Sequence, residues 1–314
     1  MLSHGPIGRG EGGHRESSDA SLSEGPKERM HRAQLRSGRL TKLQLDLRSL
    51  SEDLDCAERF SYHEPYSEFV CGRWQSCMLW NESGDANDSR IADHQTAAVM
   101  TSFGKQLRYV SGMLTSMFHC EHLRFARLAR VLPGTVLVPH RDYLELSRPL
   151  LRIHIPLRTD ERSFLSEGSL VYRMNVGEMW FLDATQLHSA ASYSSSPRVH
   201  LILDFRDGCS LVNISRTAID EQAGIPEEAI VSRPALSSSD LEGILALHEI
   251  LDEDNYRDIL AILIRKHFSK NCDASAIFDW LSQIAQRSGK SALIDRADRD
   301  ANYFMKYREL MNAI

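Results

Sequence analysis

The chain has 314 residues, 42% of them hydrophobic and 25% charged, with 37 Lys+Arg against 43 Asp+Glu for a net charge of −6. These proportions fit a globular protein of one large or two ordinary domains, and exclude a mostly disordered chain, a collagen-like repeat and a disulfide-dense mini-scaffold. An acidic balance gives no footprint for gripping a nucleic-acid backbone, no apolar stretch approaches the ~18 residues of a membrane span, and no apolar core of a secretory signal opens the chain, so the expected setting is the cytoplasm, with neither nucleic acid nor membrane as partner.

In chain order, residues 1–40 hold seven of the 18 glycines, six serines and few large apolar side chains. Such a segment cannot bury enough surface to offset its ordering entropy. It is expected to be a disordered tail, with a charge of +2 that leaves −8 on the rest. From 41 to 210 the hydrophobic pattern is mostly period two. KLQLDLRSL alternates and reads into a helix-like SEDLDCAERF, and WQSCMLW is closed by the turn-rich NESGDANDS. GKQLRYVSGMLTSMF is helical, with Leu107, Val110, Leu114 and Met117 at i, i+3, i+7 and i+10. Closely spaced strand candidates follow: LRFARLARVL, TVLVPHRDYLEL, LLRIHIPLRT, SLVYRMNV, EMWFLDA, HSAASYS and RVHLILDF. Turn signals such as Pro133-Gly134 and Glu167-Gly168 separate them. Many short strands in succession indicate an antiparallel sandwich or jelly roll, not a parallel sheet with crossover helices. Residues 211–314 turn to a 3.6 period in SSDLEGILALHEIL, DNYRDILAILIRKHF and SAIFDWLSQIAQRSGK, the last closed by Gly289, with ALIDRADRDANYFMKYREL as a fourth helical run. The expected organisation is a tail over 1–40, a mainly β domain over 41–210 and an α-helical C-terminal domain over 211–314. The six cysteines form no CxxC pair and read as reduced thiols.

The most informative run is Pro139-His140-Arg141-Asp142. In extended backbone, residues i and i+2 point to one face, so His140 and Asp142 can reach one ion while Arg141 points away. His188 lies 46 residues past Asp142, at the start of another predicted strand. Two histidines and one carboxylate form the facial triad of non-haem Fe(II) oxygenases, which leaves coordination positions open. Arg198, ten residues past His188, opens the predicted strand Arg198–Asp204. Its guanidinium could clamp a dicarboxylate bidentately, a pairing that suits an iron enzyme whose cosubstrate is 2-oxoglutarate. HxD alone is a common pattern, and a lone strand histidine is more often hydrogen-bonded than metal-bound. The strands filling the gap to His188, the spacing of Arg198 and the period-two surroundings turn the balance toward a site.

With these residues in place, the sequence resembles the bacterial free-proline hydroxylases, the cis-3 and cis-4 proline hydroxylase group related to the aspartyl/asparaginyl β-hydroxylases. PHRDYLEL, GEMWFLDATQLHSA and SPRVHLILDF carry the resemblance around the metal run, and EPYSEFVCGRWQSCMLWNESGD carries it upstream. Asp254-Asn255-Tyr256-Arg257-Asp258-Ile259 and FDWLSQIAQRSG carry it downstream, for coverage of residues 41–305. The resemblance implies a double-stranded β-helix (jelly-roll, cupin-like) core. It implies Fe(II) on His140, Asp142 and His188 as the catalytic centre, with 2-oxoglutarate on Arg198 and O2 as cosubstrates. It also implies Arg152 as a clamp for the substrate carboxylate or the cosubstrate, Arg127 ranked next, and Trp180 near the pocket. His154 shares a strand face with Arg152 and is a candidate to position the cosubstrate. Asp183, in a strand-end turn, reads as a capping residue, and Arg141, Tyr143 and Glu145 as outward or supporting positions.

The implied activity is cis hydroxylation at C3 or C4 of a free cyclic amino acid, L-proline first and L-pipecolic acid next, with release of succinate and CO2. The expected partner is thus a small-molecule amino acid, and a homodimer is allowed. The alternatives are a hydroxylase of another free amino acid or of peptidyl Asp/Asn and, more remotely, a jelly-roll metal- or ligand-binding module without turnover.

Overall fold

The structure, a computed structural model, describes residues 36–306 apart from 66, 92, 93, 95, 144–148 and 223. Most of the expected tail, residues 1–35, lies outside the described residues. Its expected end at residue 40 is corrected: Ser37 and Leu40 are buried, and strand β1 (Gly38–Lys42) pairs antiparallel with a strand of the main sheet. Then come helix α1 (Leu47–Ala57), strands β2 (Val70–Cys71), β3 (Trp74–Asn81) and β4 (Val99–Met100), and helices α2 (Ser102–Gln106) and α3 (Arg108–Met117). Eight successive strands follow: β5 (Leu123–Val131), β6 (Val136–Leu137), β7 (Leu151–Arg158), β8 (Ser163–Glu167), β9 (Leu170–Tyr172), β10 (Glu178–Leu182), β11 (His188–Ser192) and β12 (Arg198–Phe205). Helices α4 (Leu211–Ile214), α5 (Ser238–Leu245), α6 (Tyr256–Ser269), α7 (Ala276–Ser288) and α8 (Ser291–Met305) complete the described residues.

The larger sheet has the order β1-β10-β7-β12-β5-β3-β4 and the smaller β2-β6-β11-β8-β9, with every neighbouring pair antiparallel. Strands β5 to β12 therefore divide four and four between two sheets, β10-β7-β12-β5 against β6-β11-β8-β9. This is the double-stranded β-helix, reached by connections that pass from one sheet to the other.

Strand alternation gives the larger sheet two unlike faces. One presents Leu128, Ile153, Ile155, Phe181, Leu201 and Leu203 to the buried stripes of α1 and α3, including Leu50, Leu54, Val110 and Leu114. Burying an aliphatic side chain of this size contributes about 1.5–3 kcal/mol, so this face carries much of the stability. The opposite face holds Arg127 and Ile202 side by side, His154 beside Ile202, and Arg152 beside Asp204. It looks toward the smaller sheet. The helices α5 to α8 build a second core around Leu260, Leu263, Ile277, Leu281 and Ile284, which continues into Val70 and Val136 of the smaller sheet and Val138 just past β6.

Three local expectations are corrected. The alternation of KLQLDLRSL does not continue as a strand. The Asp46 carboxylate accepts from the N–H groups of Arg48 (3.1 Å) and Ser49 (3.3 Å), capping α1, and Leu50, Leu54 and Ala57 bury a helical stripe instead. The helix expected over GKQLRYVSGMLTSMF breaks at Leu107, whose ψ of 76° separates α2 from α3. Among its described residues, TVLVPHRDYLEL contains only the two-residue β6, and beyond it His140 touches the sheet through an isolated bridge to His188. All six cysteines are free thiols, and no helix among the described residues is long and apolar enough to cross a membrane.

Candidate active site

The segment after β6 turns back against the start of β11. The His140 N–H donates to the His188 carbonyl (2.9 Å), the His188 N–H returns to the His140 carbonyl (3.0 Å), and the Asp142 N–H donates to the Ala184 carbonyl (2.8 Å). These bonds do what continuous strand pairing was expected to do and keep both side chains on one side. The imidazole centroids are 4.4 Å apart. His140 Nε2 lies 3.5 Å from Asp142 Oδ1 and His188 Nε2 lies 3.9 Å from Asp142 Oδ2. One ligand atom from each of the three falls within 4.8 Å of the others.

Each Nδ1 faces a backbone carbonyl, Val138 O at 2.7 Å for His140 and Gln186 O at 2.9 Å for His188. A proton held on Nδ1 leaves the Nε2 lone pair for a metal. Burial pushes the His188 imidazole below its ordinary range, against the pull of Asp142. Burial alone would raise the Asp142 carboxyl, but the Arg152, His140 and His188 charges hold it well below the usual carboxylate range. The donor set is thus two imidazole nitrogens and an ionised carboxylate, and it fits Fe(II). Asp183 has the capping role expected of it, accepting from the Thr185 N–H (3.2 Å) and Oγ1 (2.6 Å) and from Gln186 Nε2 (3.2 Å) just before His188.

The triad opens on a cavity of about 140 Å3 that Arg127, Arg152, His154 and Arg198 also line, with apolar walls that include Phe69, Trp74 and Leu182. The three arginines differ in what they have left to offer. Arg152 Nε donates to Asp204 Oδ1 (2.7 Å), Nη2 to Asp204 Oδ2 (3.4 Å) and Nη1 to the Asp142 carboxylate. Each of its three nitrogens donates to a protein carboxylate, so Arg152 has less left for a ligand than Arg127 or Arg198. Arg127 has Nη2 at 3.5 Å from Asp204 Oδ2, while its buried Nε and Nη1 have no hydrogen-bond partner among the described residues. Arg198 reaches only the Phe164 carbonyl, at 3.5 Å, and its Nε has no partner among the described residues. Burial pushes the Arg198 guanidinium down to about 10, with Tyr172 opposing.

His154 Nδ1 lies 3.5 Å from His200 Nδ1, and neither Nε2 has a partner among the described residues. Burial and then neighbouring arginines push both imidazoles well below their ordinary range. Trp180 does not line the cavity. It is fully buried, donates from Nε1 to Glu178 Oε2 (3.0 Å) and stacks on Tyr172 at 5.5 Å.

Asp204 and Tyr143 were not picked out as site residues from sequence. Asp204 is fully buried and follows Arg198, His200 and Ile202 in the same alternation, so its face was readable. Tyr143, expected in an outward or supporting position, has a φ of +63°, the only positive value for a non-glycine among the described residues. That conformation costs on the order of 1–3 kcal/mol and swings the ring inward, where its hydroxyl donates to Asp204 Oδ1 at 2.9 Å. Glu145 lies outside the described residues.

Comparison with known proteins adds to the geometry. A family model described as aspartyl/asparaginyl beta-hydroxylase matches residues 39–207, and one described as L-proline 3-hydroxylase, C-terminal, matches residues 212–312. The L-proline cis-4-hydroxylase of Rhizobium meliloti (strain 1021) is 34% identical over 270 residues, 86% of this chain and 96% of that protein. The L-proline cis-3-hydroxylase 1 of a Streptomyces species is 32% identical over 292 residues, 88% of this chain and 97% of that protein. The solved structure of a Pseudomonas putida prolyl-4-hydroxylase aligns with 56% of this chain and 95% of its own at 15% identity and a TM-score of 0.35.

Proposed function

The chain belongs to the aspartyl/asparaginyl β-hydroxylase family and ends in the C-terminal domain of the L-proline 3-hydroxylases, and from that premise we propose that it is an Fe(II)- and 2-oxoglutarate-dependent dioxygenase that hydroxylates free L-proline at a ring carbon. The observation that carries this reading is the convergence of His140, Asp142 and His188 on a cavity where two buried arginines keep uncommitted donors. His140, Asp142 and His188 would hold the Fe(II). When bound, the ion supplies activation of O2, coupled to oxidative decarboxylation of 2-oxoglutarate to succinate and CO2.

The protein's part is binding, orientation and exclusion of water. Arg198 takes the far carboxylate of 2-oxoglutarate, since a desolvated guanidinium with idle N–H groups gains two charge-assisted bonds there. His154 offers its free Nε2 to the same ligand. Arg127 takes the carboxylate of the amino acid on Nε and Nη1, with its guanidinium carbon 5.8 Å from the Trp74 ring centroid. Arg152 keeps Asp142 ionised and oriented, and Asp204 in turn holds Arg152 and Arg127 in place. Phe69, Leu182 and their apolar neighbours accommodate the methylene ring and keep the reacting carbon dry.

The cavity charge agrees with this division. Three buried arginines face two carboxylates, the half-buried Asp142 and the fully buried Asp204. With a divalent ion added, the two carboxylates of 2-oxoglutarate lower the centre's charge from +3 to +1, and a zwitterionic amino acid adds none while its carboxylate meets Arg127. Purified protein incubated with Fe(II), 2-oxoglutarate and O2 should release succinate in a manner dependent on L-proline, with L-pipecolate as the second acid to try. Absence of substrate-dependent succinate with both cyclic acids, alongside succinate formation with a peptidyl Asp or Asn, would replace this reading with the peptidyl one.

A further inference from the structure

The helical C-terminal domain supplies none of the three metal ligands, yet it grips the segment that backs one of them. Residues 67–70 cross from the jelly roll toward α6 and α8. The Arg257 guanidinium of α6 donates to three carbonyls of that segment: Ser67 (3.1 Å) and Val70 (2.5 Å) from Nη2, and Glu68 (2.8 Å) from Nη1. From α8, the Tyr303 hydroxyl donates to Glu68 Oε1 at 3.3 Å, and the Phe304 ring meets Phe69 edge-on at 5.2 Å. Phe69 in turn stands edge-on against the His140 ring, with centroids 4.8 Å apart. The Phe304 carbonyl, near the end of α8, accepts the N–H of Arg141, midway between two of the metal ligands, at 2.9 Å. Helix ends leave such carbonyls without intrahelical partners, and here one is satisfied by the ligand-bearing backbone itself.

We infer that Arg257 and Phe304 are positioning residues for His140. They fix Phe69, and thereby the His140 imidazole, in the orientation that a metal requires. The C-terminal domain would then set the metal affinity of a centre built wholly within the jelly roll. This rests on the reading of His140, Asp142 and His188 as metal ligands. It also gives a role to the Asp254–Ile259 run, which otherwise has none at the site. Groups that orient a metal ligand commonly change affinity by about 10- to 100-fold when removed, and Phe69 acts on His140 by packing in the same position.

The test is a calorimetric titration of the full chain with Co(II), together with the visible ligand-field spectrum of the Co(II) form. Arg257→Met and Phe304→Ala should each weaken Co(II) binding by about tenfold or more and alter the spectrum. Leu281→Ala, a cavity in the same helical core, should lower thermal stability and leave the Co(II) affinity unchanged. Phe304→Leu retains bulk if the alanine variant does not fold, and should weaken binding to an intermediate degree. Affinities and spectra like the parent's in both Arg257→Met and Phe304→Leu would overturn the inference. Equal weakening in Leu281→Ala would also overturn it, because affinity would then follow stability alone. A parent protein that binds no Co(II) would instead overturn the metal reading beneath it.

Discussion

Arg198→Met removes a guanidinium that is 5% exposed and, among the described residues, meets only one long carbonyl contact, to Phe164 at 3.5 Å. Burial lowers it from its ordinary range to about 10, and at 1.36 kcal/mol per pH unit the metal-free fold carries this charge at a cost on the order of 3 kcal/mol. Methionine has a similar reach and no charge to desolvate. The ligand-free variant should therefore be as stable as the parent in urea, or more stable by up to about 3 kcal/mol. Binding should move the other way. Truncating one partner of a buried charge pair costs about 2–5 kcal/mol, so the Kd for 2-oxoglutarate on the Zn(II)-loaded protein should rise roughly 30- to 5000-fold. Calorimetry on the loaded protein and urea unfolding of the metal-free protein read the two effects separately. A metal-free variant destabilised by more than about 1 kcal/mol would show that Arg198 is a structural cation already satisfied in the fold, and an unchanged Kd would remove it from the 2-oxoglutarate site.

Asp204→Asn leaves Arg152 and Arg127 without their shared counter-charge, so unfolding free energy should fall by about 3–5 kcal/mol, and a loss under about 1 kcal/mol in urea would contradict the buried pairing. Arg127→Gln should raise the KM for L-proline by about tenfold or more, the worth of one charge-assisted bond, with the Kd for 2-oxoglutarate unaltered; equal changes in both would show that the two ligands do not divide the arginines as proposed. For pH dependence, His154 and His200 both have folded-state values well below the ordinary 6.5, so below 6.5 the unfolded chain takes up protons that the folded chain refuses. Their contribution is present above that pH and lost as pH falls, with a slope of up to about 2.7 kcal/mol per pH unit for two sites. Urea midpoints of the metal-free protein between pH 7 and 5 should follow this slope, and His200→Asn should reduce it by about half; a slope that His200→Asn does not reduce would contradict the buried neutral pair.

The sequence revealed much of the site because strand alternation is a rigid rule. His140 with Asp142, Arg152 with His154, and Arg198 with Asp204 each share a face by parity alone, and the strand count pointed to a jelly roll. What parity cannot show is how side chains from different strands divide their hydrogen bonds. Arg152 looked like the ligand clamp, but cross-strand register sets Asp204 directly beside it, and that carboxylate takes two of its nitrogens. For Tyr143 alternation leaves an outward and a supporting position open, and the residue at positive φ takes the supporting one, with its hydroxyl on Asp204. The run after Lys42 fits both periods, and the decision fell to Asp46, whose side chain caps a helix where a strand would have left those N–H groups unpaired. The resemblance points Trp180 toward the pocket, and the register does set it opposite His154 on the cavity-facing side, but its ring stacks on Tyr172 and bonds Glu178 and does not line the cavity.

The central claim is that one cavity couples oxidation of 2-oxoglutarate to hydroxylation of a free cyclic amino acid. Turnover with L-proline under isotopically labelled O2, followed by mass and NMR analysis of the products, tests it most directly. Hydroxyproline should carry one labelled oxygen on a ring carbon, with labelled succinate in equal amount. Succinate released without any hydroxylated amino acid, or hydroxyproline that carries no label, would contradict it.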